Sequence, residues 1–569
     1  MSKIKIEKAY AKRRVTSFGG IREGISKNGD SASDIRNFQI CSDGSLEKRN
    51  GWTLWRHFNT PLRGFWEGTI ENEHFMFAVA GNTVYRVYEE QSVVQIGTLS
   101  STSGNVLFQR YRDRLYLMDG TAIRVFTPGS QAFVAARGYV PLYGYNWHPT
   151  QLGDINEPVN LLNQSLRVHY LNTTGVKTFS LPFFAASLDS VRVNNRKITA
   201  YSFAAGSDTF TLSSASAGDV VEIAMTISGS NSLQQQLHGV TNGCLQLDGI
   251  RERLFLYGAP QGYRIFASSE VSDIMLTYCS IFYSDCDPLY FKQTQMLLIG
   301  DADHPVTAIT SNFDRLLAFT TTGTYSISTS DDKTYSYPVL SDLGCGTRGA
   351  AVQIGNDSIV INDRGICRLH ATSSDPDNLS IHNLSEKLGS SWRKKLSENI
   401  LLFWHSAKQE LWVRDADESF DGIVWIWNAA LDEWYCFDNI PALFFALHNG
   451  KILFGTQKDL CFFEEGIYTD NGVKFNAYYQ SNYISLDTPH AVKRSLRTAI
   501  SATNGAQLLL TLNTENASHV FAFEGKNRSA PEFFDVRLAP GRFRFLCYRI
   551  TCIGENASKI HEANFFTTL

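Results

Sequence analysis

The residues best placed by type and spacing to do chemistry are two pairs of aspartates, one glycine-rich run and ten cysteines. Asp285 and Asp287, and Asp301 and Asp303, are paired carboxylates of the kind a glycosidase uses, since that reaction needs two facing acids. The second pair could also offer oxygen ligands to Ca²⁺. Both runs are explained more simply as turns in which an Asp side chain bonds its own backbone. Gly344, Gly346 and Gly349 match G-x-G-x-x-G. A dinucleotide site needs a strand before that motif and a helix after it, and the residues that follow read as two strands. The glycines are therefore assigned to a turn. Cys41, Cys244, Cys279, Cys286, Cys345, Cys367, Cys436, Cys461, Cys547 and Cys552 form no C-x-x-C pair. Several lie in apolar strand-like runs and read as buried reduced thiols. The 13 histidines are dispersed, without an i, i+4 pair. Phosphate-loop, H-E-x-x-H and G-x-S-x-G motifs are missing. The expectation is a protein with no enzymatic activity, no cofactor and no metal site.

The elements that would position any site are strands. Aromatics make up 12 % of the 569 residues, Gly is abundant at 42 and Met scarce at 6, a mix that favours strands and tight turns. Hydrophobic residues at 43 % against 19 % charged exclude disorder as the main state. A net charge of −4 excludes a global basic field of the kind that marks non-specific nucleic-acid binders. No apolar run reaches the roughly 18 residues of a membrane helix. The first 14 residues hold six basic side chains and one Glu but no apolar stretch typical of a secretory signal.

One hairpin pattern recurs, at 71–88, 112–126, 251–266, 313–328, 356–370, 408–428 and 450–463. Each copy alternates apolar residues, turns at Gly, Asp or Asn, and returns on a second apolar strand. Four of the six gaps between copies fall at 40–52 residues, the length of a four-stranded propeller blade. The expected fold is all-β: a divergent β-propeller of about six to eight blades. The longest gap holds an insertion over 161–228, read as a small β-sandwich with Asn194-Asn195 as a hairpin turn. From 471 to 569 longer alternating strands predict a C-terminal β-sandwich. Its Arg542, Arg544 and Arg549 could form a basic stripe, though ordinary polar-out alternation accounts for them. Residues 65–160 and 229–470 are then the two parts of the propeller. Residues 1–64 form an N-terminal arm and docking segment, and a short helix is expected near 385–400, capped by Ser385.

Phe18, Gly19, Gly20, Asn37, Gly44, Leu46, Arg49 and Gly51 form a Phe-Gly-Gly turn, a central Asn and a Gly-x-Leu-x-x-Arg-x-Gly close. This stretch resembles the opening of the β-propeller nozzle or tail-tube proteins of short-tailed bacteriophages. Residues 344–369, with their Arg-Gly-Ile hairpin, are similar to the blade pattern of the same proteins. The insertion is similar to the small β-sandwich modules of phage tail fibres. The motifs cover about 130 residues.

The resemblance implies a structural virion protein. It would form a ring, usually sixfold, below the adaptor that joins tail to portal. Genomic DNA would pass through the lumen without specific binding, and tail fibres would attach outside. Assembly would take place in the bacterial host cytoplasm. Phe18, Gly19, Gly20, Arg49, Trp52 and Trp55 are the candidate interface residues, with Trp66 a further aromatic, because Trp is enriched at interface hot spots. Two other function classes stay open. One is a carbohydrate-binding or carbohydrate-degrading propeller acting as a receptor-binding tail protein. The other is a bacterial propeller scaffold unrelated to phage.

Overall fold

The computed structural model describes residues 10–568 except 25–29, 91, 230–231, 249–250, 259–263, 267–272, 276–279, 285–288, 301–303, 313–314, 330–334, 348, 373–374, 390–391, 393–398, 416–421, 487–488, 504–506 and 527–529. Among the described residues the chain is all-β apart from the short helix Ser232–His238, a helical residue at Trp392 and two single turns of 3₁₀ helix. Among the described residues it builds six antiparallel sheets of four or five strands and a seventh four-strand run within a nine-stranded sheet, the blade unit of a β-propeller. The chain divides into two compact units, one of residues 63–349 with 371–379, the other of 1–62, 350–370 and 380–569.

In the first unit the blades are stacked through their faces. The first blade contains Glu73–Ala80 and Thr83–Val87, the second Arg114–Met118 and Ile123–Phe126, the third Asn242–Asp248 and Arg251–Tyr257, and the fourth Arg315–Thr320 and Thr324–Thr329. Successive side chains of a strand point to opposite faces, so each inner strand serves two neighbours. Leu115 and Leu117 join Phe75, Phe77 and Val79 of the first blade. Tyr116 and Met118, from the other face of that strand, join Leu254, Leu256 and Phe282 of the third. Phe255 and Tyr257 then face Leu316, Ala318 and Ile327 of the fourth. Phe77 makes edge-on contacts with Phe126 and Phe133 at 4.8 and 5.3 Å, each such pair adding about 0.5–1.5 kcal/mol beyond its buried area. The hairpin read at 251–266 is repaired differently. Arg251–Tyr257 pairs with Ser280–Tyr283, because Arg264–Phe266 and Asp273–Met275 form a separate two-stranded ribbon.

The insertion is a single seven-stranded sheet folded around its own core. The 16-residue strand Thr178–Val193 makes this possible. Its first half pairs with Ser207–Leu212 and its second with Asp219–Ile227, with register shifts between. Asn194 and Asn195 take φ of 46° and 63° and turn the chain onto Arg196–Ile198, as the sequence predicts. The domain starts earlier than residue 161, because Leu142–Trp147 pairs in parallel with Ser165–Asn172 and places Tyr143 and Trp147 in the core.

The second unit holds the remaining blades and the C-terminal sandwich. The sixth blade runs Ile400–His405, Glu410–Asp415, Val424–Asn428 and Glu433–Phe437. The seventh takes three strands, Phe444–His448, Lys451–Gly455 and Asp459–Phe463, from its own region and a fourth, Trp52–His57, from the N-terminal segment. The sandwich is likewise shared. Tyr10–Val15 and Leu46–Lys48 pair with the last strand, Lys559–Thr568. Ala32–Arg36 pairs with Ala477–Ser481 and bridges to Cys436, joining the sixth blade and the sandwich in one nine-stranded sheet. Residues 1–64 are thus not a separate arm over their described part. Their strands complete sheets that the later sequence leaves open, and backbone ladders satisfy donors that would otherwise be exposed edges.

Candidate functional site

The motif that carries the family resemblance folds into a buried clasp. Arg49 is 2 % exposed, and its guanidinium meets Asp470 bidentately at 2.8 and 2.6 Å. Its remaining donors reach Asn37 Oδ1 at 2.8 Å and the carbonyls of Asn50 and Asp438 at 3.0 Å. Asn37 sits at φ 59° and donates from Nδ2 to Asp438 and to the Asn476 carbonyl. The Phe475 ring lies 3.9 Å from the guanidinium carbon. Arg suits this place because its planar fork matches a carboxylate in fixed geometry while its face stacks on aromatics. A side chain at Gly51 would run into the Thr469 carbonyl, so only Gly fits there.

The other motif residues are spent in the same way. Phe18 is 1 % exposed and packs edge-on to Tyr479 at 5.1 Å. Gly19 donates its N–H to the Asp30 carbonyl, and Gly20 donates to Glu433 Oε2 at 2.9 Å. A Cβ on Gly20 would meet the backbone of Trp434. Trp55 is buried and stacked on His448 at 4.5 Å. Half-buried Trp52 donates from Nε1 to the Asn439 carbonyl at 3.0 Å. The expectation that Phe18, Arg49 and Trp55 present themselves to a partner is therefore corrected: burial inside this chain withdraws them. Trp66, half-buried, stacks on Phe77.

The remaining expected positions divide into three groups. Asp285, Asp287, Asp301 and Asp303 lie outside the described residues, as does half of 385–400. At the described start of that stretch Ser385 spends its hydroxyl on Asn383 and on the Ile366 N–H instead of capping. Gly344 packs against the Thr320 and Thr321 backbone, and strand Ala351–Ile354 follows the glycines. The lack of a following helix removes the dinucleotide reading. Of the arginines near the C-terminus, Arg549 alone lies on the strand Leu546–Ile553, its guanidinium 3.6 Å over Tyr478, which is ordinary outward alternation. Of the seven cysteines Cys41, Cys345, Cys367, Cys436, Cys461, Cys547 and Cys552, six are buried and none forms a disulfide.

Two further features were not read from the sequence. At the root of the inserted domain a cleft of about 630 Å³ is lined by Tyr143, Ile155, Val159, Phe183, Gln164 and Gln234, among others. Its aromatic and amide side chains could stack on and hydrogen-bond a neutral polar ligand. In the hairpin of Asp357–Asn362 and Gly365–Thr372, Asp357, 4 % exposed, accepts from Arg368 Nε at 2.6 Å and holds His370 Nδ1 at 2.6 Å. The carboxylate fixes the imidazole so that Nε2 is the free nitrogen. The signal was present: Asp357 and His370 stand one step beyond the Ser358–Leu369 pair. Among the described residues no three His, Cys, Asp or Glu side chains gather as a metal cluster.

No family model matches the chain, and no curated protein matches it. Among solved structures it is similar to virginiamycin B lyase of Staphylococcus aureus, at 8 % identity and a TM-score of 0.36, over 72 % of this chain and 98 % of that one. It is similar to the Neurospora crassa Pan2 WD40 domain, at 8 % and 0.33, over 74 % and 97 %. A glycoside hydrolase gives 11 % and 0.24, over 89 % and 97 %. Likeness at this level carries no argument about activity, and the blade assignment stands on the sheets and cores described above.

Proposed function

We propose that the chain is a structural subunit of the tail of a short-tailed bacteriophage, a nozzle ring below the portal–adaptor through which the genome passes. The observation that carries this reading is the clasp. The stretch from Phe18 to Gly51 that resembles the opening of nozzle proteins is bound into both sheets of the C-terminal sandwich through Ala32–Arg36 and Leu46–Lys48, and Arg49 locks it to Asp470. A subunit that holds its place while DNA moves past it needs a body tied together across the sequence. Here strand Tyr10–Val15 pairs with strand Lys559–Thr568. The partners under this reading are further copies of the chain, the adaptor and tail fibres, with DNA in the lumen. Its residence is the virion tail. The reading is tested by mixing the purified protein with a short-tailed phage portal–adaptor assembly from the same source and sedimenting the mixture. Co-migration is expected, and a chain that stays at the top of the gradient sinks the proposal.

A second reading has the 630 Å³ cleft in its favour: a tail protein that binds host polysaccharide through Tyr143 and Phe183. A glycan screen separates the two, since saturable binding abolished by Tyr143→Ala is expected only under this second reading.

A further inference from the structure

Between the hairpin ends of the sixth and seventh blades lies a second, smaller cavity of about 110 Å³. Its lining includes Arg49, His405, Lys408, Trp412, Lys451 and Glu465. The volume holds several water molecules, since one needs about 10–15 Å³ by this measure. It therefore has room for a head group of a few heavy atoms. His405 is 4 % exposed, and its Nδ1 has no hydrogen-bond partner among the described residues. The ring instead donates to the Gly450 carbonyl, a bond that falls to Nε2 and leaves Nδ1 as an acceptor. A buried polar atom left in this state costs free energy until something donates to it.

The charges around the cavity define the donor. Lys408, in the turn after His405, and Lys451, after Gly450, are both exposed, with Lys451 Nζ over the Phe462 ring. Arg49 is neutralised by Asp470. The Glu410 carboxylate, next along the hairpin, is taken by Trp412 Nε1 at 3.0 Å and Tyr435 hydroxyl at 2.8 Å. Glu465 is the one carboxylate among the lining side chains. Two ammonium groups against one carboxylate favour an anion, while Nδ1 asks for a hydrogen. Burial, with Lys408 adding to it and Glu410 opposing, holds the imidazole below its usual pKa, so near neutral pH the nitrogen accepts.

We propose that this cavity binds a protonated oxyanion of the hydrogen-phosphate type, its hydroxyl donating to His405 Nδ1 and its charge facing Lys408 and Lys451. The site is independent of the tail reading and uses none of the residues that reading needs on a surface.

Sulfate is the discriminating probe, because it has the same shape and charge but no proton to give near neutral pH. Titration calorimetry of the full chain with inorganic phosphate and with sulfate at pH 7.5 is expected to show phosphate binding tighter by roughly tenfold or more, the difference one hydrogen bond to a charged group makes. Lys451→Gln, an exposed substitution, should weaken both anions together. His405→Phe should remove the preference and leave the weak charge-driven binding. As pH is lowered and the imidazole takes up its own proton, sulfate should approach phosphate in affinity. Equal binding of the two anions at pH 7.5, or no detectable phosphate binding at millimolar concentration, overturns the proposal. If His405→Phe fails to fold, the wild-type phosphate-to-sulfate ratio and its pH dependence still decide it.

Discussion

Arg49 shows how a residue can be read correctly as important and wrongly as to why. A charged residue in a Gly-x-Leu-x-x-Arg-x-Gly run looks like a surface anchor, because the sequence does not reveal which distant acid will meet it. Asp470 lies 421 positions away. Removing one partner of a buried ion pair leaves the other charge uncompensated and costs about 3–5 kcal/mol. Asp470→Ala should therefore lower the unfolding free energy of the full chain by that amount in denaturant titration, and a loss under 1 kcal/mol would mean the pair is solvated. Lys48 gives a pH-dependent counterpart. Its ammonium is 2 % exposed, bonded to the Phe475 and Gly554 carbonyls, and burial pushes its pKa down to about 8. The unfolded chain then binds a proton between pH 8 and about 10.5 that the folded chain does not, so stability from this group rises with pH across that window. The difference in unfolding free energy between wild type and Lys48→Met should shift in favour of the wild type from pH 8 to 10.5, by roughly 3 kcal/mol at most. A flat difference would contradict the buried placement.

At the scale of elements, the hairpins legible in the sequence are the inner strands of the blades. Alternation and turn residues mark them because each inner strand is packed on both faces, as Leu115 and Tyr116 are against different neighbours. The outer strands are short and half-exposed, so their pattern is weak: Val134–Ala135 has both side chains exposed. The N-terminal strands were read as an arm for a different reason. Their partners are hundreds of residues away, and pairing of that kind leaves no local periodicity. Two expectations follow. Phe77→Ala should cost about 3–5 kcal/mol, because the ring fills the contact between the first two blades. Deleting residues 1–57 should expose the edges of Asp459–Phe463 and Lys559–Thr568 and make the C-terminal region sensitive to limited proteolysis. A truncated chain with unchanged protection there would restore the picture of a detachable arm.

For the whole molecule, the sequence carried the fold class further than the function. Seven repeats and a C-terminal sandwich follow from hydrophobic alternation and spacing, and the sheets agree; the insertion, expected as a small sandwich, is one folded seven-stranded sheet. The proposed function rests on a resemblance whose motif residues turn out to hold the fold together. The cavity at His405 was beyond reach of the sequence, since its walls come from both blade hairpins and the N-terminal segment. The nozzle account makes its sharpest commitment in symmetry. Mass photometry and electron-microscope class averages of the purified protein, alone and with the portal–adaptor assembly, should give a hollow sixfold ring of about 382 kDa (6 × 63.7 kDa) seated below the adaptor. A monomer or trimer that ignores the adaptor would contradict the account.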